Sequence, residues 1–484
     1  MLFNSLQYLI FLPLVVGLYF LIPYKYRWIL LLGSSYYFYM AWKPVYIILI
    51  IFSTLIDYFA GLMMGRTDDK KKRKKYLILS LITNLSLLFL FKYFNFFNDS
   101  AKTVLEYLNI PFYLPEFKLL LPMGISFYTF QTLSYSIDVY KGTIEPEKHL
   151  GIFALYVTFF PQLVAGPIER SENLLPQFRE KHDFDYKLAT NGLKLIAWGM
   201  FKKVVIADRV AKMVNLVYND VHSYTGFPLV LATVFFAFQI YCDFSGYSDI
   251  AIGSANIMGY RLMKNFNRPY LARNISEFWR RWHISLSTWF KDYIYIPLGG
   301  NRVVKWRWYY NLFITFLISG LWHGANWTFV AWGALHGFYH VFAIMTSKFR
   351  RNFVKAIKLD KIPGLYPLIQ TSITFILVCF GWIFFRANSL SDAIYVIKHL
   401  FDGSFKNIYE QALILEPDNF QLNVALISIV LMEIVHLVQE KIGSIRVFVD
   451  KRPIWIRWSL YYILILWIII FGSFGSQEFI YFQF

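Results

Sequence analysis

Two histidines in this chain have the type and setting that chemistry requires. His323 lies in Gly320-Leu321-Trp322-His323-Gly324-Ala325-Asn326-Trp327, inside an apolar stretch, and His283 follows Trp279-Arg280-Arg281-Trp282 beside a basic surface. A histidine in hydrocarbon is costly unless it is paired or used. An imidazole titrates near neutrality, which suits it to taking the proton from an attacking hydroxyl. Acyl transfer to a hydroxyl needs such a base, together with donors for the oxyanion. His323 is therefore read as a general base, with a buried histidine satisfied by a backbone carbonyl as the competing reading. Asn326 is a candidate oxyanion donor, and the flanking glycines allow close backbone approach. His283 reads either as a second functional imidazole or as an amphipathic anchor beside Trp282.

Other polar residues in apolar surroundings are supporting candidates. Asp243 and Asp249 lie in the stretch Phe227 to Met258, where they either serve a site or brace a helix break around Gly246. Arg280, Arg281 and Lys291, with Lys202 and Lys203, have the charge to meet the phosphates of an acyl carrier, or lipid headgroups. His336 and His340 have the i, i+4 spacing of a zinc pair, but no His-Glu-x-x-His pattern and no third ligand accompany them, so no metal is expected. His436 near Glu433 reads as a polar pair between packed helices. No Gly-x-Ser-x-Gly elbow, P-loop or dinucleotide fingerprint occurs.

Positioning these groups falls to a membrane scaffold. Of 484 residues, 57% are hydrophobic and only 16% charged, against about one quarter charged in soluble domains. The apolar runs are continuous, which excludes the alternation of an outer-membrane barrel. The expected fold is all-α and polytopic. The formal charge of +18 is read as membrane orientation and headgroup contact, with membrane lipids and no nucleic acid as partners. Cys242 and Cys379 both have apolar neighbours, so no disulfide framework is expected.

Apolar stretches run from Leu6 to Ile22, Trp28 to Met40, Val45 to Met63 and Tyr76 to Phe94, and the N-terminus is read as a retained first span. Arg66 and the run Lys70 to Lys75 form a loop placed in the cytoplasm by the positive-inside rule; a second loop is expected from Asn95 to Lys118. Leu119 to Tyr140 carries small and hydroxyl residues suited to tight packing or a wet cavity. Ile152 to Val164 runs into Pro161 to Pro167, which reads as a broken or re-entrant segment. Asn191 to Leu216, with Lys202, Lys203, Asp208 and Arg209, reads as an interfacial amphipathic helix. A second basic amphipathic helix is expected after Asn274, with Trp279, Trp282, His283, Leu286 and Phe290 on one face, ending at Pro297 to Gly300. Tyr309 to Trp322, Trp327 to Met345, Ile369 to Phe385, Gln421 to Val438 and Trp455 to Phe471 complete the set. A short surface helix is expected between Ser389 and Phe420. No repeat is visible.

The chain resembles the membrane-bound O-acyltransferase superfamily, and within it the bacterial branch of alginate and peptidoglycan O-acetylation membrane subunits. The matching pieces are Leu121-Pro122-Met123-Gly124-Ile125-Ser126-Phe127-Tyr128, the run Phe160 to Arg170, Asp243 to Asp249, Glu277 to Arg302, Gly320 to Trp327, and Gly381 to Arg386. The resemblance implies one membrane domain over residues 1–484, a ring of transmembrane helices around tilted and re-entrant ones with a central tunnel. It implies His323 as the active-site histidine and His283 as the branch's second histidine. It further implies acetyl-CoA as the acyl donor, with no bound cofactor. An export-side polysaccharide or an extracytoplasmic transferase partner would receive the acyl group, at a bacterial inner membrane. D-alanylation of teichoic acid from a carrier protein, or a transporter or flippase, are the alternatives.

Overall fold

The computed structural model describes residues 1–117, 120–164, 166–403, 407–416, 418–474 and 479–482. Lys118, Leu119 and Ala165, which the sequence reading put at the end of a loop, the start of an apolar stretch and inside the breaker run, lie outside them, as do 404–406 and 417 of the polar segment. Every regular element among the described residues is helical. Among the described residues, seven helical stretches are long and apolar enough to cross a membrane: Pro44–Gly65, Lys70–Tyr107, Phe227–Ile257, Trp327–Met345, Leu365–Arg386, Asn419–Ile442 and Ile454–Phe471. In hydrocarbon a helix satisfies its backbone polar groups within one segment, so this is a multi-pass α-helical membrane protein.

The chain forms two compact units, Met1–Ile196 with Tyr247–Met263, and Ala197–Gly246 with Lys264–Phe484. In the first unit the basic run is no loop. Asp69 caps it, accepting from the Lys71 backbone N–H at 2.8 Å, and the lysines, good helix formers, make the first turns of Lys70–Leu88. A π-helical turn, Phe89–Tyr93, carries it on into Phe94–Tyr107. The loop expected from Asn95 therefore starts only after Tyr107. The hydroxyl row of Ile125–Lys141 serves packing. Ser136 and Ser80 donate to Asp57 Oδ1 at 3.3 and 2.5 Å, and Asn84 Nδ2 reaches both Asp57 oxygens at 3.0 Å. The expected broken segment is present as Leu150–Thr158 and Phe160–Leu163, almost wholly buried, with the turn at Phe159.

Two further departures from expectation precede the site. Lys202, Lys203, Asp208 and Arg209 are buried rather than interfacial, and Lys202 and Lys203 sit in a π-helical turn, Phe201–Ala207. Their counter-charges are described below. Phe227–Ile257 is one unbroken helix of 31 residues, about 46 Å at 1.5 Å per residue and longer than a hydrocarbon core of about 30 Å. Gly246 marks no break. A Cβ there would lie 2.8 Å from the Gly199 carbonyl oxygen, so glycine is required by the close approach of the neighbouring backbone. Ile454–Phe471 has none of its apolar window buried in the protein, which leaves its face to hydrocarbon.

Candidate active site

His323 is the last residue of the helix Lys305–His323, which turns through Gly324 to Asn326 into Trp327–Met345. The two helices press together because Gly320 and Gly333 face one another. A Cβ on Gly320 would lie 2.3 Å from the Phe329 carbonyl oxygen, and one on Gly333 2.5 Å from that of Phe316. This small-residue contact draws the hairpin tight enough to bury His323, which is 2% exposed. Its ring is boxed by Trp322 at 4.9 Å, Trp332 at 5.0 Å, Phe385 at 5.4 Å and Tyr481 at 5.7 Å between centroids. Excluding water in this way strengthens any electrostatic interaction made inside the box.

His283 is built differently. The helix expected to run on from Asn274 breaks here into Ile275–Arg281 and Ile284–Phe290, with His283 between them at φ 42°, ψ 55°. Left-handed backbone costs a non-glycine residue roughly 1–2 kcal/mol and persists only where the surroundings impose it. Asn265 imposes it. Its backbone oxygen accepts from Ile284 N at 2.8 Å, while its side-chain Oδ1 lies 3.1 Å from His283 Nδ1 and accepts from Ser285 Oγ at 2.9 Å. The imidazole is wholly buried, and burial pushes it down to about 3, so the ring is neutral at physiological pH. Asn274 does cap the first short helix, accepting from Glu277 N at 2.9 Å.

The two histidines come together around shared rings. Trp322 lies 6.2 Å and Tyr481 6.4 Å from His283, and both also border His323. Tyr481 arrives from the end of the chain and is held by the buried charges of this unit. Lys203 Nζ lies 2.8 Å from both Asp208 Oδ1 and Asp243 Oδ1, and Asp243 Oδ2 accepts the Ile480 backbone N–H at 2.8 Å. Upstream, Ser473 N donates to the Val204 oxygen at 2.8 Å, and Arg209 reaches the Phe471 oxygen at 2.5 Å. Asp243 thus supports the pair through the tail segment, a role that sequence left open.

The remaining candidates separate. Asp249 belongs to the first unit and Asp243 to the second. Asn326 caps Trp327–Met345, accepting from Thr328 N at 3.0 Å, and its amide nitrogen reaches the Asn388 carbonyl at 3.3 Å. Both ends of its amide are engaged in fixing the turn after His323. Arg281 is held by Glu277 at 2.7 Å and Glu440 at 2.8 Å; Arg280 and Lys291 are exposed. His336 accepts from Trp279 Nε1 at 3.2 Å, and His436 lies 3.3 Å from both Glu433 and the Tyr241 hydroxyl. Asn265, Lys203 and Tyr481 were not singled out as parts of the histidine site by sequence. Asn265 sits in Lys-Asn-Phe-Asn-Arg-Pro, which reads as a turn, and Tyr481 is one aromatic among many.

Comparison with known proteins gives the family of the chain. A model of the membrane-bound O-acyltransferase family matches residues 148–385, a stretch that contains His283, His323, Asn265, Lys203 and Asp243. The probable alginate O-acetylase AlgI of Azotobacter vinelandii is 42% identical over 397 residues, covering 81% of this chain and 76% of that protein. The chain belongs to the membrane-bound O-acyltransferase family. The peptidoglycan O-acetyltransferase of Helicobacter pylori is 37% identical over 401 residues, 77% of this chain and 72% of that protein. The teichoic acid D-alanyltransferase of Bacillus subtilis is 28% identical over 291 residues, 57% and 71% respectively. The protein is thus a membrane O-acyltransferase, and its histidine pair lies in the family's matched region.

Proposed function

We propose that this O-acyltransferase takes an acetyl group from cytoplasmic acetyl-CoA and delivers it to a hydroxyl of an export-side polysaccharide, or to an extracytoplasmic partner protein that completes the transfer, at a bacterial inner membrane. The observation that carries the reading is the buried pair His323 and His283, gathered around Trp322 and Tyr481. The acceptor oxygen attacks the thioester carbonyl carbon, a C–O bond forms and the C–S bond breaks. The hydroxyl proton passes to the His323 imidazole and from it to the leaving thiolate, giving an ester and free CoA thiol. His283 assists by orienting the reacting group. Exposed Arg280 and Lys291 are the donor-binding candidates for CoA phosphates, since Arg281 is engaged by two carboxylates.

Names of relatives support acetyl over D-alanyl transfer: alginate and peptidoglycan O-acetylating proteins match more of the chain at higher identity than the D-alanyltransferase does. The test supplies purified protein in vesicles with radiolabelled acetyl-CoA or, in parallel, a D-alanyl-charged carrier protein, with polysaccharide present. Thiol release and label on polysaccharide or protein from acetyl-CoA alone are expected. Transfer only from the carrier, or substrate movement without acyl chemistry, overturns the reading.

A further inference from the structure

We propose that Asn265 is a positioning residue for the transfer reaction: its side-chain carbonyl holds His283 in the Nδ1–H tautomer and so makes Nε2 the basic, hydrogen-bond-accepting nitrogen. The inference rests on the acyl-transfer reading of the histidine pair.

The argument starts from which end of the Asn265 amide faces the ring. Asn265 is wholly buried, and the atom 3.1 Å from His283 Nδ1 also lies 2.9 Å from Ser285 Oγ and 3.4 Å from the Ser285 backbone nitrogen. A backbone N–H only donates, so the amide atom facing it is the oxygen; a flipped amide would set two donors against each other. With an acceptor oxygen opposite, Nδ1 carries the proton. In a neutral imidazole the other nitrogen is then the acceptor. Burial, which pushes this ring down to about 3, keeps the doubly protonated form away at neutral pH. The main chain of Asn265 grips the same three residues through Ile284 N, so ring and left-handed backbone are set by one residue. Around the imidazole pack Phe244, Phe266, Trp322 and Tyr481. Of these only the Tyr481 phenol titrates, and burial raises it far enough to stay neutral.

The consequence is a division of labour. Through Nε2, His283 accepts a hydrogen bond from a donor of the bound substrate other than the attacking hydroxyl, whose one proton passes to His323, such as a neighbouring sugar hydroxyl; it does not donate one to the oxyanion.

The experiment compares wild type, Asn265→Leu, Asn265→Asp and the Asn265→Asp/His283→Gln double variant, each reconstituted at equal folded amount. Asn265→Leu removes the acceptor, and kcat falls about tenfold or more while KM for acetyl-CoA stays within about twofold. Asn265→Asp keeps an acceptor and adds a charge that favours the imidazolium. The pH at which the His283 ¹⁵N signals titrate therefore moves up by about one unit or more, whereas the acid limb of kcat/KM, set by His323, moves only where that titration overtakes it, and any such movement disappears when His283→Gln is added. Selective ¹⁵N-histidine spectra, with the His283 signals assigned by their loss in His283→Gln, read the tautomer without turnover. A protonated Nδ1 and a bare Nε2 are expected in wild type, with mixing in Asn265→Leu. A wild-type ring protonated at Nε2, or a His283 titration unmoved by Asn265→Asp, overturns the proposal. Absence of acetyl transfer in wild type overturns the functional reading alone, because the spectra still decide the role of Asn265.

Discussion

His323 and His283 lie in one unit, border the same two rings and are held in opposite ways. His323 ends a helix that a glycine pair has drawn against its neighbour, and aromatic faces enclose it. His283 sits at a helix break in left-handed backbone, with its ring nitrogen and its chain both fixed by Asn265. An aromatic box excludes water from the His323 imidazole. A polar clasp fixes the proton's position beforehand. The difference fits a base that must gain and lose a proton beside a partner that must keep one.

The largest way to disturb both regions together is to remove what anchors the tail they share. Lys203→Met leaves Asp208 and Asp243 buried without the ammonium between them, and is expected to destabilise the protein by about 3–5 kcal/mol. Adding Asp243→Asn to Lys203→Met recovers part of the loss. Thermal unfolding in detergent checks both.

His283→Gln separates the two imidazoles. It lowers transfer by about a hundredfold, the modest end of an acid–base contribution. Because burial holds the His283 ring near 3, it stays neutral from about pH 5 to about 8. The acid limb of the pH–rate profile consequently stands where it does in wild type, and a limb that vanished with His283 would reverse the two roles.

Backbone strain sharpens the contrast on a smaller scale. At φ 42°, His283→Gly is expected to be more stable than His283→Ala by roughly 1–2 kcal/mol, although both lose activity. The smallest effect belongs to the turn after His323. Asn326→Ala removes a helix cap and costs about 1 kcal/mol, with transfer at equal folded amount changed only a few-fold. An oxyanion donor at that position would instead lose about 10²–10³ in kcat.

Sequence showed the scaffold well where one helix carries its own signals. Trp327–Met345 is bounded as expected because apolar length and the Asn326 cap are both local. The lysine run reads as a loop on charge alone, whereas the Asp69 cap and the helix-forming character of lysine make it the start of Lys70–Leu88. The break at His283 was illegible, since Trp282 and His283 also fit a continuous helical face and the force that breaks it comes from Asn265, in a different loop. Lys203 reads as interfacial because one of its two partners, Asp243, is remote in sequence, and the near one, Asp208, fits the polar face of an amphipathic helix equally well. Both histidines were visible because imidazoles in apolar stretches are costly, but their differing supports exist only in three dimensions.

The central claim, that His323 is the base of acyl transfer, is tested most directly by following CoA release and ester formation together in vesicles, with wild type and His323→Ala at equal folded amount. The account predicts that both products fall in parallel by about 10²–10⁴, with binding of acetyl-CoA retained. Equal rates in the two proteins would remove His323 from the mechanism.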